Sequence, residues 1–205
     1  MKPRMTSEER RSAIVQSAIR LFGEKGFRGT TTRELASAVG VTEPVLYRHF
    51  RTKRDLYSAI IEARAGEASQ RLSELRELAA RGDDRAFFSR LGMLLLDRYE
   101  NDPETTRLLL FSCLERHELS ELFFERLVQD FYRLVSDYIR GRVRSGVFRS
   151  VDPDLAARGV IGMMAYQGLM GLLFPKKMRK PDKKRLVQEM AGLFLKGIEA
   201  NRQPR

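Results

Sequence analysis

The sequence predicts an all-α protein of about nine helices, in which a three-helix N-terminal module precedes a larger helical domain. Apolar residues recur at the 3.6-residue spacing of amphipathic helices through most of the chain. Helix-start residues and helix-stopping glycines punctuate this pattern, as at Thr31 and Gly40. Alternating strand patterns are negligible. We place the small module at residues 1–52 and the larger domain at 53–205.

The first helix is predicted to begin at Thr6 or Ser7, because Glu8 and Glu9 are favourable in a first turn. Its apolar face is formed by Ile14, Val15, Ala18, Leu21 and Phe22. The glycine-rich segment 23–29 follows and lacks the G-x-x-x-x-G-K-[ST] string of a phosphate loop. We therefore interpret it as a turn.

Two short helices joined by a tight turn follow. Thr31 and Glu34 have the spacing of a capping box at the start of the first. Gly40 supplies the backbone freedom of a sharp helix stop. Thr42 is predicted to cap the second helix, which tolerates Pro44 in its first turn.

The second short helix is predicted to turn a polar face outward, because Val41, Leu46 and Phe50 must cover the small core. The outward face consists of Glu43, Pro44, Tyr47 and Arg48. A helix about 10 Å across fits a DNA major groove about 12 Å wide. Thr52 opens the next helix, and its amides together with Lys53 would form a phosphate seat.

These residues resemble the signature of the TetR/AcrR family of transcriptional regulators. The resemblance is carried by Gly40-Val41-Thr42, Leu46-Tyr47-Arg48-His49-Phe50 and Lys53-Arg54-Asp55-Leu56. It covers roughly residues 10–60, while the remainder is similar to the family only in length and helical pattern. The resemblance implies a helix-turn-helix regulator that needs no cofactor and is not an enzyme.

The resemblance also implies DNA-binding roles for individual residues. Tyr47, His49 and Lys53 match positions that contact phosphates. Positions that face or adjoin bases are matched by Thr32, Arg33, Thr42, Glu43, Pro44 and Val45. Arg48 stands at a variable position and could reach guanine or another phosphate. The Glu43 carboxylate would be repelled by phosphates unless it accepts from cytosine N4 or holds Arg48. The alternative is a solvated polar face on a structural three-helix module.

The charge distribution favours a double-stranded DNA partner for the N-terminal module. The chain has a formal net charge of +11 and a pI near 10.1. Up to Arg54 there are 12 Lys/Arg against 5 Asp/Glu, whereas the longer remainder has 26 against 22. A basic surface of this kind suits an anionic partner.

We expect a cytoplasmic protein with no membrane partner. A single cysteine, Cys113, excludes an intrachain disulfide and fits a reducing compartment. The start of the chain has no apolar core of a signal peptide. The apolar run 160–174 is shorter than the roughly 20 residues of a membrane span.

The larger domain contains aromatic and methionine side chains that would form either a core or a ligand pocket. The resemblance implies a small apolar or amphipathic effector in this domain. Candidate pocket residues are Phe111, His117, Tyr132, Met163, Tyr166 and Gln167. Cys113 and His117 have metal-ligand chemistry at helical spacing, but two ligands do not complete a metal site. We predict no metal.

The last two helices predict an interface between two copies of the chain. Small residues three apart, Gly159, Gly162, Ala165 and Gly168, would form one smooth strip. The final helix carries an apolar stripe that includes Met190 and Phe194. The candidate dimer residues are Gly162, Ala165, Gly168, Met190 and Phe194. Intrachain packing of both faces is the alternative.

The sequence as a whole predicts a homodimeric repressor released from a near-palindromic operator by a small molecule. The alternative is a DNA-binding protein that is architectural or controlled by a protein partner, without an effector. An enzyme is disfavoured, since the sequence has no nucleophile–base set, metal set or nucleotide loop.

Overall fold

The computed structural model describes residues 5–115, 119–177 and 181–200, and every extended regular element within these ranges is a helix. The helices are α1 (Ser7–Gly29), α2 (Thr32–Val39), α3 (Glu43–His49), α4 (Lys53–Arg81), α5 (Asp84–Asn101), α6 (Pro103–Leu114), α7 (Leu119–Phe123), α8 (Gln129–Arg144), α9 (Pro153–Leu173) and α10 (Lys183–Ile198). The predicted all-α fold is confirmed. The described ranges hold ten helices rather than nine, because a π-helical segment, Phe124–Val128, separates α7 from α8.

The local capping signals of the small module are confirmed, with one exception. Thr31 Oγ1 accepts from the Glu34 amide at 3.2 Å, and the Thr31 amide donates to Glu34 Oε2 at 2.9 Å. Gly40 ends α2 with a φ of 69°. Thr42 precedes α3 as expected, but its side chain makes no capping hydrogen bond. The predicted hydroxyl cap at Thr42 is therefore wrong.

The chain divides into two compact units. One contains Met1–Glu67 and Pro103–Leu127, and the other contains Ala68–Asp102 and Val128–Arg205. The first unit thus includes α6 in addition to the three N-terminal helices. The boundary that we predict at residue 52 separates a DNA-binding module from a ligand-binding and dimerisation domain, rather than two packing units. This boundary stays a prediction.

The core of the first unit joins α1 to α4 and α6. The rings of Phe22, Phe27 and Tyr57 form a cluster, with the Phe22 and Phe27 centroids 5.5 Å apart. Tyr57 is fully buried and its hydroxyl bonds to Ser112 of α6, and burial raises the pKa of Tyr57 to about 12. A Cβ on Gly23 of α1 would lie only 2.7 Å from the backbone oxygen of Glu104. The approach of α6 to α1 therefore requires glycine there.

The core of the second unit is apolar with one polar cluster at its edge. Its buried residues come from the C-terminal half of α4, from α5, α8, α9 and α10, and from Phe148 between α8 and α9. Phe87 stacks on Tyr138 with a centroid distance of 3.9 Å. The Tyr138 hydroxyl and the Arg142 guanidinium each donate to Asp84 at 2.6 Å, one to each carboxylate oxygen.

Among the described residues, no helix combines the length and apolarity needed to cross a membrane. No group of three or more His, Cys, Asp or Glu side chains in these ranges could hold a metal ion.

Candidate nucleic-acid interface

The polarity of α3 follows from the two side chains that hold it down. Leu46 is 3% exposed and Phe50, which follows the helix, is 4% exposed. Tyr47 is 44% exposed, and Arg48 is also exposed. The predicted division of α3 into an inward apolar side and an outward polar side is confirmed for these residues. The outward side can enter a groove.

A hydrogen-bonded chain links the starts of α2 and α3. Thr32 Oγ1 donates to Glu43 Oε2 at 2.8 Å, and the Tyr47 hydroxyl donates to Thr32 Oγ1 at 3.4 Å. Glu43 is half-buried and one of its oxygens is thus held by Thr32. No local sequence pattern predicts these hydrogen bonds, because their members are 11 and 15 residues apart.

The other candidate DNA-binding residues of α2 and α3 lie at or near the surface. Arg33, Thr42 and Pro44 are exposed, whereas Val45 and His49 are half-buried. These five side chains could meet DNA without any change in the fold. Their DNA roles stay predictions.

Arg11 of α1 also contacts α3, although the sequence does not predict it. Its Nη1 donates to the backbone oxygen of His49, the last residue of α3, at 3.0 Å. Its guanidinium carbon lies 4.2 Å from the centroid of the Phe50 ring. No local pattern could have indicated this contact, since Arg11 and His49 are 38 residues apart.

Lys53 is oriented toward backbone oxygens of its own chain. Its Nζ donates to the carbonyl oxygens of Phe27 and Thr30, the latter at 2.8 Å. Burial lowers the pKa of Lys53, and the nearby Glu115 carboxylate opposes that shift. The predicted phosphate contact would have to use the donor of Lys53 that remains.

The start of α4 is occupied from within the chain. The Thr52 amide donates to Asp55 Oδ2, and the Asp55 amide donates to Thr52 Oγ1, each at 3.0 Å. The phosphate seat predicted there therefore has two of its amides already satisfied.

An exposed ion pair supports the start of α2. Lys25 Nζ lies 2.5 Å from Glu34 Oε1. The hydrogen bond from Lys25, together with those from Thr31, lowers the pKa of Glu34 from 4.5 to about 2. The same carboxylate thus completes the capping box and binds a lysine.

The predicted pocket residues belong to both units and to the residues that are not described, and their role stays a prediction. Phe111 belongs to the first unit, and His117 lies outside the described residues. Tyr166 is 56% exposed, so it does not line an enclosed space. Three half-buried residues of the second unit remain candidates: Tyr132, Met163 and Gln167.

The small residues of α9 do not form the single smooth face that was predicted, so that prediction is wrong. Residues three apart drift by about 60° around a helix, so Gly159 and Gly168 lie on opposite sides. Gly162 is exposed and has no packing neighbour where a Cβ would stand, whereas Gly168 packs against the ring of Tyr99 in the same chain. Ala165 is half-buried between these two directions.

The predicted stripe on α10 is likewise divided. Met190 and Phe194 pack against the intrachain core, and the Phe194 and Phe88 rings are 4.8 Å apart. Leu193 is instead 60% exposed. The large apolar residues exposed on α9 and α10 are Leu155, Tyr166, Leu173 and Leu193.

Comparison with known families identifies the class of protein. The family described as "Bacterial regulatory proteins, tetR family" matches residues 14–60, and "AefR-like transcriptional repressor, C-terminal domain" matches residues 102–197. The HTH-type transcriptional repressor KstR2 of Rhodococcus jostii (strain RHA1) is 30% identical over 73% of this chain and 73% of its own length. The chain belongs to the TetR family.

Two further relatives carry the names of different roles. The nucleoid occlusion factor SlmA of Marinobacter nauticus is 30% identical, with 79% of this chain matching 83% of SlmA. The HTH-type transcriptional regulator YerO of Bacillus subtilis (strain 168) is 24% identical over 80% of this chain, which spans only 59% of the length of YerO.

Solved structures support the same fold. AibR, crystallised with isovaleryl coenzyme A and operator DNA, has a TM-score of 0.71 at 22% identity, covering 90% of this chain and 97% of AibR. TetR-family proteins are DNA-binding regulators, not enzymes, and they act as dimers. The predicted helix-turn-helix fold and non-enzymatic class are confirmed.

Proposed function

We propose that this TetR-family chain is a homodimeric repressor that binds a near-palindromic operator and leaves it when a small molecule binds. The observation that carries the proposal is the outward face of α3. Tyr47 and Arg48 are exposed while Leu46 and Phe50 are buried, so the helix is anchored and its polar side is available for a major groove. We also propose a cytoplasmic location, where operator DNA is accessible.

The proposed dimer supplies the second recognition helix. Two copies related by a two-fold axis would place their α3 helices about 34 Å apart, one turn of DNA. The exposed apolar side chains Leu155, Tyr166 and Leu193, together with the open surface at Gly162, support a contact between copies. A two-fold dimer would favour an operator with two-fold sequence symmetry.

The proposed effector is a small apolar or amphipathic molecule that binds in the C-terminal domain. It can release DNA only if it binds the DNA-incompetent state more tightly than the DNA-bound state. Tyr132 and Gln167 would supply polar groups beside the apolar Met163. AibR, a structural neighbour, was crystallised with both isovaleryl coenzyme A and operator DNA.

A second candidate function needs no effector. The relative SlmA carries the name of a nucleoid occlusion factor rather than of a ligand-responsive repressor. A chain of this kind would bind DNA under the control of a protein partner or as part of chromosome organisation. Both candidates require the same DNA-binding surface. They differ in whether a small molecule changes DNA binding.

Selection of bound duplexes from a random DNA library tests the proposal. We expect the purified protein to enrich a motif with two-fold symmetry, and Arg48→Ala to weaken binding to that motif. A thermal-shift screen with lipophilic and amphipathic compounds then separates the two candidates. A compound that raises Tm and releases the motif supports a repressor controlled by an effector. The absence of an enriched motif would contradict the repressor, and failure to bind duplex DNA at low salt would contradict both candidates.

A further inference from the structure

Two cationic side chains of the first unit are bound to backbone carbonyl groups near the ends of helices. Arg11 reaches the end of α3, and Lys53 reaches the end of α1 and the turn that follows it. In both cases the cation also lies over a phenylalanine ring. This shared arrangement is unexpected, because basic residues of a DNA-binding module are ordinarily assigned to phosphates.

Arg11 stabilises the C-terminal end of the recognition helix. Helix α3 has only seven residues, and its last carbonyl groups have no partner within the helix. Arg11 Nη1 donates to the His49 carbonyl oxygen at 3.0 Å, and its guanidinium lies 4.2 Å from the Phe50 ring centroid. A cation at this end of a helix also complements the helix dipole. Arg11 therefore holds the C-terminal end of α3, while the Thr32–Glu43 hydrogen bond holds its N-terminal end.

Lys53 performs the same task where α1 ends. Its Nζ donates to the carbonyl oxygens of Phe27 and Thr30, and it lies 4.1 Å from the centroid of the Phe27 ring. Gly26, one residue earlier, has a φ of 74°, so the α1 backbone breaks there and leaves carbonyl groups without helical partners. Thr30 in turn precedes Thr31, the N-cap residue of α2. The ammonium thus joins the first residue of α4 to the connection between α1 and α2.

The surroundings of Lys53 favour this internal role over a phosphate contact. Lys53 is half-buried, and the Glu115 carboxylate already provides an anion near its ammonium. Glu115 Oε2 is buried without a hydrogen-bond partner, so it would lose its nearby cation if Lys53 swung outward. The two amides at the start of α4 that a phosphate would also use are bound to Thr52 and Asp55.

We propose that Arg11 and Lys53 are positioning residues, which hold α3 and the α1–α2 connection in the DNA-binding geometry by capping backbone carbonyl groups and make no phosphate contact themselves. The proposal rests on the proposed function, because it concerns how the same surface recognises DNA. It assigns Lys53 a role different from the phosphate contact that the family resemblance implies.

The salt dependence of binding separates a positioning residue from a phosphate contact. Each phosphate contact contributes about 0.9 to the slope of log K against log salt on duplex DNA. We would measure this slope by fluorescence anisotropy for the wild type, Arg11→Met and Lys53→Met on the duplex selected from the random library. Arg48→Ala, which removes an outward cation from α3, is the comparison variant.

We expect Arg11→Met and Lys53→Met to bind the selected duplex at least about 5-fold more weakly with an unchanged slope. The ratio of affinities for selected and random duplexes should also fall, because a displaced α3 reads bases poorly. A variant that is only less stable would keep this ratio at temperatures where it is fully folded. Arg11→Lys and Lys53→Arg, which keep a cationic donor, should restore most of the lost affinity.

A slope that falls by about 0.9 in either methionine variant would overturn the proposal for that residue. Failure of the wild type to bind any selected duplex would instead overturn the proposed function, so the two failures are distinguishable. If Lys53→Met does not fold, that result supports the carbonyl cap at Lys53, and Arg11→Met provides the slope measurement.

Discussion

At the scale of single residues, the outward side chains of α3 owe their direction to the inward ones. Leu46 and Phe50 are buried, and this fixes the rotation of a helix too short to be stable alone. Tyr47 and Arg48 therefore point away from the core and are exposed. Sequence periodicity was sufficient to predict this division, because anchors and exposed groups lie within one turn of each other.

Contacts between distant residues could not be predicted in the same way. The capping box of Thr31 and Glu34 is a local pattern, and the sequence alone identified it. The bonds of Arg11 to His49 and of Lys53 to Thr30 join residues 38 and 23 positions apart. The family resemblance and the helix start at Thr52 assigned Lys53 to a phosphate, and only the folded chain shows the carbonyl groups beside its ammonium.

Arg33 tests base readout at this scale. It is exposed on α2, and replacing it with alanine should weaken operator binding by roughly 1 to 3 kcal/mol if it contacts a base. Binding to random duplex should weaken less. Arg28→Ala, a change to another exposed arginine of the same unit, is the control in a competition titration. Equal losses on both duplexes would show that Arg33 is a phosphate contact.

Glu34 gives a prediction about acid stability. Its folded pKa of about 2 lies below its ordinary value of 4.5, so its stabilising effect is present above about pH 4.5 and is lost as the pH falls toward 2. Glu34→Gln should therefore reduce the dependence of the free energy of unfolding on pH across this window. Urea unfolding at several pH values measures it, with Glu24→Gln as the control. An unchanged pH profile would contradict this role.

At the scale of elements, the sequence located the helices better than it located their faces. Predicted and observed bounds agree for the start of α1 and for both ends of α2, since capping residues and a glycine mark them locally. The face of α9 was misjudged because spacing by three rotates steadily around a helix. Gly168 consequently faces Tyr99, while Gly162 faces outward.

Two glycines of α9 should respond oppositely to alanine. Gly168→Ala would drive a methyl group into the Tyr99 ring, which should cost about 1 to 3 kcal/mol of unfolding free energy. Gly171→Ala on the same helix meets nothing within 4 Å and should stabilise by up to about 1 kcal/mol. Chemical unfolding of both variants measures the difference. Equal stabilities would mean that Gly168 does not need its close contact with Tyr99.

At the scale of the whole molecule, the proposed dimer converts a short recognition helix into a selective reader of DNA. One copy of α3 covers too few bases to specify a site, whereas two copies on one face of the duplex double the number of readable positions. Dimerisation and operator affinity should therefore be lost together. Leu193 is exposed and Phe194 packs within the chain, so charged substitutions at these two positions separate loss of the dimer from loss of stability.

Leu193→Glu should produce monomers that keep the helical content of the wild type, because the new carboxylate stands on a surface that is 60% exposed in one copy. Two copies would each bury that charge without a partner, which is strongly unfavourable. Phe194→Glu, in contrast, should lower Tm, since Phe194 packs on Phe88 within one chain. Analytical ultracentrifugation, circular dichroism and operator titration on the same samples distinguish these outcomes. Sedimentation of Leu193→Glu at the dimer mass would place the contact between copies elsewhere on the molecule.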